Sequence, residues 1–416
     1  MPLPAGYKQT EVGVIPEDWE VKPFGELFSF SNGINADKDC YGRGFRFVNV
    51  LEPITYSHIY GPEITGRVAV SDSVATAYAV KFGDVLFNRT SETDSELGLA
   101  TTYLGTEHVL FGGFVIRAHP ADDSFDPKYS GYALRAHVVR SQIVPMGQGA
   151  VRANIGQQNL KLVLAPVPPL PEQRAIAEAL SDADALIESV RQLVTKKRHL
   201  KLGVMHDLLT GTIRLPGFNG DWNAKALKDV LKIPVTDGPH MTPVFLSNGV
   251  PFLSVNNLAN NKIDLSDLRF ISQHDHAIFS KKCKPQKNDI LLGKAASVGK
   301  VAIVDIDIEF NIWSPIALVR IDSANVPKFI YYCLQSDFVM RQIVLLTNSS
   351  SQGNIGMGDI ERLELLLPSQ DEQYEIAAML TEIDTEIADL ESQLAKARSI
   401  KQGMMNRLLT GKIRLL

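Results

Sequence analysis

Residues 168–215 read PPLPEQRAIAEALSDADALIESVRQLVTKKRHLKLGVMHDLLTGTIRL, and residues 368–415 read PSQDEQYEIAAMLTEIDTEIADLESQLAKARSIKQGMMNRLLTGKIRL. The two stretches align without a gap at an offset of 200 (373 − 173), with Gln173 on Gln373, Ile187 on Ile387 and Leu208-Leu209-Thr210-Gly211 on Leu408-Leu409-Thr410-Gly411. Two copies at so long a period indicate a duplicated half-molecule and not a solenoid.

Each copy predicts one long helix. Apolar residues recur at steps of three and four. In the first copy the series are Ile176, Ala183, Val190, Lys197, Val204 and Leu180, Ile187, Val194, Lys201, Leu208. In the second they are Ile376, Ile383, Leu390, Ala397, Met404 and Leu380, Ile387, Leu394, Lys401, Leu408. Two apolar positions in seven, held over four to five heptads, form a coiled-coil seam. Pro169 and Pro171 before a Glu-rich first turn mark the start, and Gly211 and Gly411 mark the stop. About 38 residues at about 1.5 Å each make a rod of roughly 57 Å. A narrow seam that long needs a partner, and the other copy in the same chain supplies it. The competing expectation is that each helix packs on its own globular region.

Around these helices lie two strand-rich regions, opened by Trp19 and Trp222 and matched in order of features. The apolar runs Phe45–Val50, Val85–Phe87, Phe114–Ile116 and Val163–Val167 correspond to Pro251–Val255, Ile290–Leu292, Ile316–Val319 and Leu363–Leu367. Both regions carry an early turn (Ser31-Asn32-Gly33; Asp237-Gly238-Pro239). Each later has one expected amphipathic helix (Lys128–Ile143; Lys328–Ile343) and then a Gly-containing loop ending in Asn-Ile-Gly (Asn154-Ile155-Gly156; Asn354-Ile355-Gly356). The offset drifts from 203 (222 − 19) to 205 (294 − 89) and returns to 200 (354 − 154), so the plan is shared while the loops differ in length. The expected fold class is α+β: two globular α/β domains joined by two long helices in an antiparallel coiled coil, with a pseudo-two-fold internal repeat. The expected boundaries are 1–167 and 216–367 for the globular parts, and 168–215 and 368–416 for the helices.

The 416 residues are 45% hydrophobic, ordinary for a chain that buries real cores. No signal peptide is expected, because Met1-Pro2-Leu3-Pro4 lacks a basic segment and an apolar run, and no transmembrane span is expected. Cys40, Cys283 and Cys333 are odd in number and far apart, which points to a reducing cytoplasm. The net charge is −5. A protein that held DNA alone by neutralising phosphates would be basic, so any nucleic-acid reading must explain the acidity.

Catalytic motifs are missing. Gly147-Gln148-Gly149-Ala150-Val151-Arg152 has Arg where a dinucleotide fingerprint needs its third Gly, and Gly293 to Lys300 has the wrong length for a P-loop, followed by Val301. His274-Asp275-His276 is read as a solvated loop and not a metal site. Several loops instead mix basic and polar side chains that suit base edges, since Arg grips guanine and Asn or Gln grips adenine. The candidates are Arg89, Ser91 and Thr93 after one strand, and Lys294 and Ser297 after its counterpart. Gln148, Arg152 and Asn154 with Gln352 and Asn354 come from the late loops, and His240 and Thr242 from the turn Asp237-Gly238-Pro239-His240-Met241-Thr242-Pro243.

The sequence resembles the specificity subunit of a type I restriction–modification system. The resemblance rests on Tyr7-Lys8-Gln9-Thr10-Glu11-Val12-Gly13-Val14-Ile15-Pro16-Glu17-Asp18-Trp19, on Pro169-Leu170-Pro171-Glu172-Gln173, on Leu208-Leu209-Thr210-Gly211, and on the turn at 237–243. It covers nearly the whole chain. Two departures stand out: Pro368-Ser369-Gln370-Asp371-Glu372-Gln373 keeps only Glu-Gln of PLPEQ, and the first region has Ser31-Asn32-Gly33-Ile34-Asn35 where the second has the longer turn. The resemblance implies two target recognition domains, each reading half of a bipartite double-stranded DNA site, with the helices as spacer. It implies two methyltransferase subunits and two ATP-dependent translocase–nuclease subunits as partners. S-adenosylmethionine, ATP and Mg2+ would belong to those partners, with no cofactor, metal or catalytic residue in this chain. The acidity then has an account, because the partners would supply much of the phosphate clamp. A coiled-coil scaffold with two protein-binding heads is the alternative that fits the helices and the charge but not the matched polar loops.

Overall fold

The computed structural model of the chain describes residues 3–93, 95–149, 152–348 and 353–415. The two repeats form single helices, Leu170–Thr210 and Gln370–Leu408, of 41 and 39 residues. Gly211 and Gly411 stand just beyond them with φ of +71° and +68°, the left-handed conformation that ends a helix at little cost for glycine. None of the described helices is long and apolar enough to cross a membrane.

The chain divides into two compact units, Met1–Arg191 with Ser392–Leu416, and Gln192–Glu391. Each unit therefore holds one strand-rich region, the start of one long helix and the end of the other. Within each unit the two helical segments run antiparallel. In the first, Glu172 meets Arg414 and Asp184 meets Lys401. In the second, Glu372 meets Arg214, Asp384 meets Lys201 and Glu386 meets Lys197. Rising numbers on one segment pair with falling numbers on the other.

Every seam position of the heptad series is buried or half-buried. At the helix starts the buried face is wider than a seam. Glu172, Gln173, Ile176, Ala177 and Leu180 are all buried, as are Glu372, Gln373, Ile376, Ala377 and Leu380. Ile176, Ala177 and Leu180 join a core with Trp19, Phe24, Tyr129, Leu408 and Leu409, and Ile376, Ala377 and Leu380 join one with Leu227, Phe329, Leu208 and Leu209. So each helix packs on its own globular region at its start and on the other helix along its length. A fully buried large apolar side chain contributes roughly 1.5–3 kcal/mol, which makes these junctions the firm part of each unit.

The first unit has a five-stranded sheet in the order Phe28–Asn32, Val115–Pro120, Val85–Asn88, Ala100–Tyr103, His58–Ile59. It also has a three-stranded sheet, Val109–Phe111, Tyr41–Val48, Arg67–Val68. The second unit repeats this with four strands, Thr236–Asp237, Ile316–Val319, Ile290–Gly293, Val301–Ile303, and three, Arg269–Ile271, Val250–Leu253, Asn311–Ile312. The central strands Val85–Asn88 and Ile290–Gly293 are buried throughout, which is why they read as continuous apolar runs and not as alternation.

Two expectations need correction. Lys128–Ile143 is not one helix but two, Pro127–Ala133 and His137–Ile143; its counterpart is likewise Pro327–Cys333 and Asp337–Leu346. The break falls at Ala136 and Ser336, both extended (ψ 152° and 150°), and the Ser336 hydroxyl caps the new helix by accepting from the Val339 amide. His274-Asp275-His276 is not a loop but the first turn of the helix Gln273–Phe279, capped by Ser272. His276 is buried and hydrogen-bonds Asn311 Oδ1 at 2.7 Å.

Candidate functional site

The central strand of each unit is followed at once by a cation, Arg89 in the first and Lys294 in the second, and the same two backbone contacts hold both. The amide of Arg89 donates to Phe114 O (2.9 Å) and that of Lys294 to Pro315 O (2.8 Å). Their carbonyls accept from Ile155 (3.0 Å) and Ile355 (2.9 Å). A short hairpin then closes against each strand end: Asn154 bridges Gln148 and pairs with Thr90, while Asn354 bridges Asn348 and Ala295. The matched sequences around 89, 294, 154 and 354 therefore fold into one corner built twice.

On the first corner, Arg89 is half-buried, and its Nη1 donates to Gly113 O at 3.4 Å. Thr90 Oγ1 donates to Asn154 Oδ1 at 2.7 Å, leaving Asn154 exposed with its Nδ2 on Arg152 O. Arg152 is exposed, and two of its guanidinium nitrogens donate to Glu92 Oε1 at 3.0 and 2.6 Å. An exposed pair of this kind is worth about 1 kcal/mol at most, so a stronger anion or a base edge can take the guanidinium. Gln148 and Thr93 are exposed. Ser91 is buried and its hydroxyl is spent on Glu96 (2.9 Å), so Ser91 shapes the loop from within. The loop is held from below by Arg140, whose guanidinium donates to the carbonyls of Ser95 (2.9 Å) and Leu97. Burial lowers the Arg140 pKa from the usual range.

The second corner is arranged around a carboxylate. Asp237 is fully buried; Lys282 donates to its Oδ1 at 2.5 Å, and Lys294 and His240 approach Oδ2 at 3.1 and 3.3 Å. Burial opposes ionisation of Asp237, but hydrogen bonding and charge from Lys282 and Lys294 outweigh it and hold the carboxyl below its ordinary range. Lys294 is only 12% exposed, whereas Lys282 and His240 are 51% and 71% exposed. Thr242 is exposed two residues on. Ser297 is half-buried after Ala296, whose φ is +62°, and Asn354 is exposed. Gln352 lies outside the described residues.

The structure thus gathers Arg89, Gln148, Arg152 and Asn154 on one corner, and His240, Lys294 and Asn354 on elements joined at the other. It also brings in groups that sequence reading missed. Lys282 follows the helix Gln273–Phe279, and the only hint of it was the basic run Lys281-Lys282-Cys283-Lys284. Glu92 and Arg140 meet the corner through pairings that no spacing announces. Among the described residues no three His, Cys, Asp or Glu side chains gather as metal ligands. What the corners offer is hydrogen-bond donors and acceptors on rigid strand ends, the chemistry of recognition.

Comparison with known proteins agrees with this architecture. The sequence profile described as "Type I restriction modification DNA specificity domain" matches twice, over residues 16–196 and 219–397. A putative type I restriction enzyme MjaX specificity subunit from Methanocaldococcus jannaschii is 27% identical, over 98% of this chain and 97% of that one. The crystal structure of a type I restriction–modification system S subunit from M. genitalium matches with a TM-score of 0.58 at 15% identity, covering 98% of both chains. A chain from a structural study of complex assembly and conformational transition of the type I system also matches at 0.58, with 17% identity over 96% of this chain and 99% of that one.

Proposed function

The chain belongs to the type I restriction–modification DNA specificity family, and from that premise we propose that it is the sequence-specificity subunit of a type I restriction and adenine-methyltransferase complex. Residues 1–167 and 216–367 act as the two target recognition domains, each reading one half of a bipartite site in the major groove. Residues 168–215 and 368–416 act as spacer and as docking surface for two methyltransferase subunits, with two ATP-dependent translocase–nuclease subunits completing the restriction enzyme. The chain itself carries no catalytic step; S-adenosylmethionine, ATP and Mg2+ are used by the partners, and the complex works in the cytoplasm.

The observation that carries this reading is the doubled corner: one backbone frame, held by the same contacts at Arg89 and Lys294, presents two different sets of side chains. A fixed frame with variable polar tips is what reading two unlike half-sites requires. Docking on the helices is supported by Leu193 and Leu200, which stand seven apart on the first long helix within the second unit and are 46% and 52% exposed. An apolar row flanking the seam suits a partner helix.

Selection from a pool of random duplexes by the full chain, alone and with its methyltransferase subunit, tests the reading. The expected enrichment is a bipartite sequence, strongest with the partner present because that subunit adds phosphate contacts. Enrichment of no sequence in either condition overturns it and favours the scaffold with two protein-binding heads.

A further inference from the structure

The turn Ser31-Asn32-Gly33-Ile34-Asn35 differs in residue types from its counterpart at 237–243. The structure shows that it fills the same place in the frame. A side chain on Gly33 would collide with the carbonyls of Phe111 and Gly112, and one on Gly238 with the carbonyl of Ile312. Phe111 and Ile312 end equivalent parallel strands, paired with Val48 and Leu253 respectively. The next backbone contact is also repeated: Gly113 N donates to Ile34 O (2.8 Å), and Ser314 N to Pro239 O (3.3 Å). Two residues beyond the pressed glycine stand Asn35 in the first unit and His240 in the second, both exposed.

We infer that Asn35 is a base-reading residue of the first recognition domain, working as a pair with Arg89; this rests on the function proposed above. Both side chains are seated on Gly113. The Arg89 guanidinium donates to the Gly113 carbonyl at 3.4 Å, and a methyl group on Gly113 would overlap the Asn35 amide. The glycine is what leaves room for the amide at the residue whose carbonyl receives the guanidinium. In the second unit the equivalent pair, His240 and Lys294, likewise converges on one anchor, Asp237 Oδ2. The frame is kept and the tip chemistry changes, from amide with guanidinium to imidazole with ammonium. A carboxamide can bond adenine through two atoms and a guanidinium can do the same for guanine, so the pair suits two neighbouring base pairs. Asn35 is exposed, so its amide is open to a base edge.

The test uses the full chain assembled with its methyltransferase subunit. Binding is measured by competition against duplexes carrying every single base-pair change in the selected site. Asn35→Ala is expected to lower discrimination at one base pair of one half-site by about 10- to 100-fold, leaving the other positions and the other half-site unchanged. Gly113→Ala, which displaces the same amide from a position with ordinary backbone angles, is expected to lower discrimination at that same base pair. Unchanged preference at every position in Asn35→Ala overturns the inference, and so does an equal loss on all sequences. If the parental complex itself shows no bipartite preference, the proposed function fails and the inference falls with it; a parental complex with the preference and an unaffected Asn35→Ala sinks the inference alone.

Discussion

Glu172 and Arg414 are 242 positions apart, yet Arg414 donates to both oxygens of the buried Glu172 carboxylate at 2.6 and 2.8 Å. Trp19 Nε1 adds a third donor at 2.8 Å. At the residue scale such buried charges are tied off in structure, as Lys294 is on Asp237, whereas Arg89 meets the Gly113 carbonyl at 3.4 Å. Arg89→Ala is expected to relax one position of one half-site by about 1–3 kcal/mol, read from relative affinities across substituted duplexes; a uniform loss would mark a phosphate contact instead. Asp237→Asn leaves Lys294 in a nearly closed site without its counter-charge, and removal of one partner of a buried pair costs about 3 kcal/mol. Because the Asp237 carboxyl is held below its ordinary range in the folded chain, its contribution is complete above an unfolded pKa of about 3.9. That contribution disappears as the pH falls through the lower folded value. Denaturant unfolding should therefore separate the native chain from Asp237→Asn at neutral pH and bring the two together only under strong acid. These residue roles were the least legible part of the sequence. Lys294 looked like a free strand-end cation because nothing in the string places Asp237 or Lys282 beside it, 57 and 12 positions away (294 − 237; 294 − 282). Ser91 looked like a surface hydroxyl because the loop's inward turn onto Glu96 is a tertiary event.

At the scale of elements, the duplicated motifs of the long helices acquire a physical reason. Glu-Gln at the start of one helix is the receiving half of a lock, and the Arg of LLTGxIRL beyond the other helix is the inserting half. Arg214 meets Glu372 at 2.7 Å as Arg414 meets Glu172. Gln173 accepts from the Asp126 amide (2.8 Å) and Gln373 from the Val326 amide (2.9 Å), each tying its helix start to the N-cap of an earlier helix of the same unit, Pro127–Ala133 or Pro327–Cys333. A second repeat joins Tyr132, Asp184 and Lys401 in one unit and Tyr332, Asp384 and Lys201 in the other, with Tyr–Asp hydrogen bonds of 2.9 and 2.8 Å. Two of the three seam lysines that break the apolar heptads, Lys201 and Lys401, are thus the cations of these triads, and the third, Lys197, meets Glu386. The two locks differ in their surroundings: Trp19 donates to Glu172 and Arg414 also donates to the exposed Asp18 at 2.7 Å, whereas the Trp222 indole nitrogen is buried without a hydrogen-bond partner among the described residues. Arg214→Ala leaves the buried Glu372 carboxylate without a donor among the described residues, whereas Arg414→Ala leaves Glu172 with Trp19; hydrogen exchange at the helix start should therefore speed up more in Arg214→Ala, and equal exchange would contradict the account of the lock. Seven residues added to both helices keep the seam in phase and lengthen each by about 10 Å. The expected result is a longer gap between unchanged half-sites, and an unchanged gap would contradict the spacer role. The helices were the most legible part of the chain because a heptad is a local pattern. The helix expected over Lys128–Ile143 failed at its middle because its apolar spacing runs straight through the cap at Ala136, and the equivalent serine at 336 was the only sign of a break.

At the scale of the whole molecule, duplication supplies two equal frames and loop variation makes them unequal. Equal frames suit two identical partners, and unequal tips suit an asymmetric DNA sequence. The proposed function accounts for the net charge of −5, since it assigns base reading to this chain and much of the phosphate contact to the other subunits. The order of strands and turns carried this plan in the sequence, because the offset between halves drifted from 203 to 205 and then returned to 200. The measurement that tests it most directly is co-expression of the chain with its methyltransferase subunit, followed by single-molecule mapping of methylated adenine across the host genome. The account predicts one new motif with two short defined halves around a gap of constant length. A stable complex that places no new methylation, or methylation on a single uninterrupted sequence, would contradict it.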